Sequence, residues 1–168
     1  MRSKKEKAAL IDAQLEKSPD MQRTERTIFV LLISFVVLRF LPAVIQTFYV
    51  ASVKSVRIDC LMNYILVILS ALFAVMIAQG IKFFAILGTL CGAYSLIALW
   101  LDFNFKGGSH IGSGALYTSY IISLVSVCII QIAIMIYIIL SKKCCAYLDL
   151  LDGVNKEYFE DGNIYTDN

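Results

Sequence analysis

The chain has 168 residues, of which 59% are hydrophobic and only 17% charged, with a mean hydropathy of +0.75. A soluble globular domain carries roughly 25% charged residues, so this composition cannot cover a water-facing surface. It excludes an ordinary soluble enzyme, a disordered chain and a collagen-like chain, and a formal charge of +2 is too small to steer nucleic acid onto it.

From the N-terminus, residues 1–27 read as a charged arm. Ala8, Ile11 and Leu15 fall on one side of a short helix. Ser18-Pro19 then suits an N-cap and first helical position leading into the first apolar run. That run, Ile28 to Val50, is 23 residues long. Three more follow: Cys60 to Gln79, Phe83 to Leu101 and Ala115 to Leu140, of 20, 19 and 26 residues. A bilayer core needs roughly 20 apolar residues in a helix. The runs lack the period-two alternation of outer-membrane barrel strands, and lipid offers no partner to an open backbone. The expected fold is therefore an all-α integral membrane protein, a small bundle of four transmembrane helices over residues 28–140. The first run exceeds the roughly 7–15 apolar residues of a cleaved signal, and Arg39 interrupts it. It is read as a span.

Basic residues near the spans set orientation. Arg2, Lys4, Lys5, Lys7, Lys17, Arg23, Arg26, Lys82, Lys142, Lys143 and Lys156 fall on one side, against Lys54, Arg57 and Lys106 on the other. Tyr49, Tyr64, Trp100, Tyr117 and Tyr120 gather near the outer ends of the spans, where amphipathic rings meet headgroups. Both termini are expected in the cytoplasm.

Helices in lipid associate through close packing or polar contacts. Ser70, Ala74 and Ala78 form a small-residue stripe on the second span, and Ala85, Gly88, Gly92 and Ser95 form one on the third. The bare turn at Gly80 to Lys82 makes these spans antiparallel neighbours. Ser70 with Gly92, Ala74 with Gly88 and Ala78 with Ala85 then stand level, so the two stripes are expected to meet. Homodimerisation through the same glycines is the competing use.

Arg39 stands about 18 Å into the first span, counting 1.5 Å per residue from Thr27. A central arginine costs about 2.5–3.5 kcal/mol on insertion scales. Pro42 removes the hydrogen bond that the Leu38 carbonyl would accept and is expected to kink the helix. Gln46 shares a face with Arg39. Gln131 lies at a similar depth in the fourth span, with Ser119, Ser123, Ser126 and Tyr137 on one face, and Ser70, Tyr94 and Ser95 reach the same layer. An intramembrane cluster of Arg39, Gln46, Gln131 and Ser126 is thus expected. The spans hold no Asp or Glu, which argues against a carboxylate proton relay or a cation site.

Other chemistry is sparse. His110, in a glycine-rich loop, is the one histidine and cannot build a His pair for a metal. No nucleophile elbow or phosphate loop appears. No cofactor or metal is called for. Cys91 and Cys128 read as small apolar residues, and Cys60 has no outer partner for a disulfide. Cys144 and Cys145, beside Lys142 and Lys143, would suit S-acylation in a eukaryote. The lack of an Asn-x-Ser/Thr sequon favours a bacterial cytoplasmic membrane.

Residues 141–168 form an acidic tail. Tyr147, Leu150, Leu151, Val154 and Tyr158 recur at helical spacing, and Gly153 is expected to cap a helix ending near Asp152. Such a tail is either solvated or docks a cytoplasmic partner. The expected function is non-enzymatic, an accessory or structural subunit whose partners are the bilayer and another membrane subunit or itself. A small transporter or channel for an anionic or neutral solute, using Arg39, is the alternative.

Overall fold

The computed structural model describes residue 13 and residues 18–53, 58–105 and 115–163. Five helices account for nearly all of them: α1 (Pro19–Val53), α2 (Ile58–Ala78), α3 (Phe83–Phe105), α4 (Ala115–Leu140) and α5 (Lys142–Asn163). Four of these, α1 to α4, are long and apolar enough to cross a membrane. Their outward faces carry Phe29, Phe48, Ile68, Leu90, Trp100 and Leu140 at 58–73% exposure. A soluble protein does not leave so continuous an apolar surface bare. The predicted N-terminal arm helix, Lys54, Arg57, Lys106 and the His110 loop lie outside the described residues.

The helix ends follow from local sequence. The Ser18 carbonyl accepts from the Met21 and Gln22 amides at 3.0 and 3.3 Å, with Pro19 at the first helical position as expected. α2 closes in a Schellman motif. The Gly80 amide donates to Ile77 O at 2.9 Å and the Ile81 amide to Met76 O at 3.2 Å, and Gly80 takes φ 93°, a left-handed conformation that favours glycine. Pro42 is fully buried within a helix that continues through it.

In the bundle α1 packs broadly on both α2 and α4, and α3 packs chiefly on α4. The α2–α3 face is the thinnest of the four. This corrects the expected seam. The nearest atoms to a Cβ built on Gly88 belong to Met135 of α4 and Phe35 of α1, and for Gly92 they belong to Ile132 and Cys128 of α4. Both glycines are buried there, within the chain. Ala74 and Ala85 do share the core, but Ala78 is exposed and lines a groove with Ile28, Phe29 and Leu32 of α1. Near the turn α2 and α3 meet instead through the rings of Phe73 and Phe84, with centroids 5.7 Å apart. The level-pair rule fixes height, not rotation about the axis, and the bulky Ile132 and Met135 filled the notches that the glycines left.

The tail is a second correction. α5 runs to Asn163 straight through Gly153, which has no positive φ and so caps nothing. Cys144, Tyr147, Leu148, Leu151 and Val154 are buried; all but Val154 join one core with Ile28, Leu32, Phe35, Ile77, Ala85, Met135 and Ile138. Tyr147, Leu151 and Val154 of the sequence stripe are thus buried within the chain, Leu150 is partly buried, and the Tyr158 side chain lies outside the described residues. α5 lies across one end of the bundle. Lys82 of the α2–α3 turn pairs with Asp149 at 2.6 Å, Lys143 with Asp20 at 3.7 Å, and Tyr147 Oη donates to Glu25 at 3.4 Å.

Candidate functional site

The candidate site follows from one charge in an apolar helix. Arg39 is 2% exposed and is the largest fully buried side chain among the described residues. α1 points it inward, between α3 and α4. One guanidinium nitrogen, Nη2, donates to Ser95 Oγ of α3 at 2.9 Å, and Nη1 donates to Cys128 Sγ of α4 at 3.2 Å. Ser95 Oγ in turn donates to the Cys91 carbonyl at 3.0 Å. A desolvated charge is costly unless it is hydrogen-bonded, and here both terminal nitrogens donate to neutral acceptors. No Asp or Glu exists in the spans to neutralise it.

Gln131 acts beside Arg39 rather than on it. Its Nε2 donates to the Phe35 carbonyl at 2.8 Å. Phe35 lies four residues before Arg39, so this carbonyl belongs to the helical turn that carries the arginine. Gln131 therefore fixes α1 against α4 at the level of the charge and sets where the guanidinium starts.

The expected single cluster resolves into two layers. Gln46 is buried but lies about 10 Å further along α1 by helical rise. Its Oε1 accepts from Asn63 Nδ2 of α2 at 2.5 Å, and the same amide nitrogen donates to Tyr120 Oη of α4 at 3.1 Å. Thr47 and Tyr64 add a hydroxyl pair at 2.9 Å. α1, α2 and α4 are thus tied together at the end away from α5.

Ser126 belongs to neither layer. It is exposed, because five residues separate it from Gln131 and at 3.6 residues per turn this rotates it about 140° away. Tyr94 likewise points outward at 60% exposure. Ser70, Ser119 and Ser123 spend their hydroxyls on carbonyls of their own helices. Cys128, expected as an inert apolar residue, is instead an acceptor for the arginine. Asn63 and the bonded role of Tyr120 were not foreseen. An Asn within an apolar span was the available signal, since an unpaired amide in lipid is costly.

The cysteines at the α4–α5 junction are also committed. Cys144 is 1% exposed. The Cys145 thiol lies 3.1 Å from the Ile139 carbonyl, one of the four carbonyls that the end of α4 leaves without a helical donor. Cys144 is thus buried within the chain, and Cys145 is partly exposed.

Among the described residues no group of His, Cys, Asp and Glu is arranged to hold a metal. Comparison with protein-family models, curated proteins and solved structures finds no match for this chain.

Proposed function

We propose that the chain is a small multi-pass membrane protein of non-enzymatic, accessory or structural type, and that Arg39 is an internal tie rather than a ligand-facing charge. The observation that carries this reading is the 2% exposure of Arg39 with its guanidinium spent on Ser95 and Cys128. A transported anion would need that guanidinium open. The protein sits in a plasma membrane, bacterial by preference, with both termini in the cytoplasm. Support for this orientation comes from the basic residues, eleven on the side of the termini against three on the other. Reporter fusions at Lys54 and Lys106 should read external, and fusions at Gly80 and the C-terminus internal. An external C-terminus would overturn the orientation.

The functional reading is tested by affinity purification from mild detergent. A membrane partner in fixed ratio is expected to follow the wild type and Arg39→Leu alike. If Arg39→Leu inserts and folds but loses its partner, or loses a solute flux that the wild type supports, the internal-tie reading fails.

A further inference from the structure

A polar cavity of about 170 Å³ lies where the start of α1 meets the α4–α5 junction, between Asp20, Arg23 and Thr27 of α1, Tyr137 of α4 and Lys143 of α5. A single water needs roughly 10–15 Å³ of such space. The cavity straddles a boundary. Thr27 immediately precedes the apolar run of α1, and Tyr137 lies four residues, about 6 Å, short of Ser141. Charged residues lie on one side of this level and lipid-facing residues on the other, including Val30 of α1 at 60% exposure and Leu140 of α4 at 73%.

The lining favours an anion. Arg23 and Lys143 bring two positive charges against the one negative charge of Asp20. Lys143 meets Asp20 only at 3.7 Å, with both side chains about 70% exposed, a weak and exchangeable pair. The N-terminus of α5 opens beside them. Ser141 caps it, its hydroxyl accepting the Cys144 amide at 3.4 Å and its carbonyl the Cys145 amide at 2.9 Å. The amides of Lys142 and Lys143 are left without an intrahelical acceptor, at the positive end of the helix dipole. Tyr137, half exposed, carries a hydroxyl at the membrane side.

We propose that this cavity binds the phosphate of an anionic phospholipid headgroup. Arg23 and Lys143 neutralise it, Tyr137 and the first-turn amides of α5 donate to it, and the acyl chains lie along the apolar outer faces of α1 and α4. Basic pockets at the ends of membrane helices are suited to such headgroups. The inference rests on the reading of α1 to α4 as membrane spans.

The test uses the full chain, stripped of lipid in a non-ionic detergent and titrated with phosphatidylglycerol, phosphatidylcholine or glycerol phosphate, with bound molecules counted by native mass spectrometry. Phosphatidylglycerol should bind one to one and more tightly than phosphatidylcholine. Arg23→Gln and Lys143→Gln should each weaken phosphatidylglycerol about fivefold and weaken phosphatidylcholine, whose phosphate is balanced by its own choline cation, less. Asp20→Asn, which frees Lys143 and removes the opposing charge, should tighten phosphatidylglycerol, an effect that a merely structural ion pair would not give. Equal binding of the two lipids, or phosphatidylglycerol binding indifferent to Arg23→Gln and Asp20→Asn, overturns the site. Glycerol phosphate binding as tightly as phosphatidylglycerol assigns the cavity to a soluble phosphate and overturns the lipid. Resistance of the liposome-reconstituted chain to carbonate extraction reports separately on the membrane reading.

Discussion

The Arg39 guanidinium of α1 reaches Ser95 of α3 at 2.9 Å, although the backbones of these two helices make no extensive contact. The arginine thus crosses the bundle interior and ties together helices that lipid alone gives no reason to associate. Its tie to Cys128 adds α4, and Gln131 holds the turn from which it extends.

A double-mutant cycle separates the tie from the charge. Arg39→Met keeps the length and removes a buried cation whose insertion costs about 2.5–3.5 kcal/mol, so the variant should be as stable as the wild type or more so. Ser95→Ala in the wild type removes an acceptor from a buried charge and should cost about 1.5–3 kcal/mol. In the Arg39→Met background Ser95→Ala should be nearly silent. Unfolding in mild detergent with increasing SDS measures all four proteins. Equal effects of Ser95→Ala in both backgrounds would show that the pair is not coupled.

Two glycine-to-alanine changes should have opposite signs. At Gly80, φ is 93° and a Cβ would lie 2.9 Å from both the Asp152 amide nitrogen and Leu151 Cβ. Gly80→Ala should destabilise by at least about 1–2 kcal/mol from the backbone alone and should loosen α5 from the turn. At Gly153, within α5, a Cβ would meet nothing within 4 Å. Gly153→Ala should stabilise by about 0.5–1 kcal/mol, because glycine loses more freedom in a helix than alanine. Thermal unfolding of the pair checks both signs.

Cysteines at Gly88 and Met135, in a background without native cysteines, should crosslink within one chain. A Cβ at Gly88 would lie 3.3 Å from Met135 Cγ, so the two positions face each other in direct contact. Crosslinks found only between chains would move the α3–α4 packing to a dimer interface. For the same reason Gly92→Ile should weaken folding, since a Cβ there already falls 2.8 Å from Ile132 Cγ1.

The four helices were legible because lipid demands length and apolarity, which are summed along the chain and need no partner; the Ala115–Leu140 bounds coincide with the sequence reading. Arg39 was legible for the converse reason, as a charge where none is tolerated cheaply. Its partners were not. Cys91, Ser95, Ser126 and Cys128 are all small residues near one depth, and only the rotation of α3 and α4 decides which turn inward. Rotation depends on knobs such as Met135 and Ile132 meeting Gly88 and Gly92, a pairing across 40 or more residues of sequence. The helix of the tail was legible from its stripe, but its run past Gly153 and its docking on the bundle were not, because a stripe as short as Tyr147, Leu151 and Val154 among acidic residues does not say what covers it.

Tyr147 gives the base of the bundle an alkaline signature. Burial first, then the charge of Glu25 and the hydrogen bond to it, push the Tyr147 phenol up to about 12, from about 10 in an unfolded chain. The folded protein therefore holds this proton more tightly than the unfolded one. The resulting stabilisation is fully present below about pH 10 and is lost as pH rises through about 12. Tyr147→Phe keeps the ring in its core and removes the hydroxyl. At neutral pH it should lower stability by about 0.5–1.5 kcal/mol. The gap between wild type and variant should then narrow through that alkaline window. Taking the difference cancels the titration of the other tyrosines, which both proteins share. Glu25→Gln, which keeps an acceptor but removes the charge, should lower the phenol's pKa, so that the loss still begins near pH 10 but is smaller and complete at lower pH. Denaturation curves in detergent between pH 7 and 12 measure this, and a gap that stays constant across the range would show that Tyr147 does not titrate against the fold.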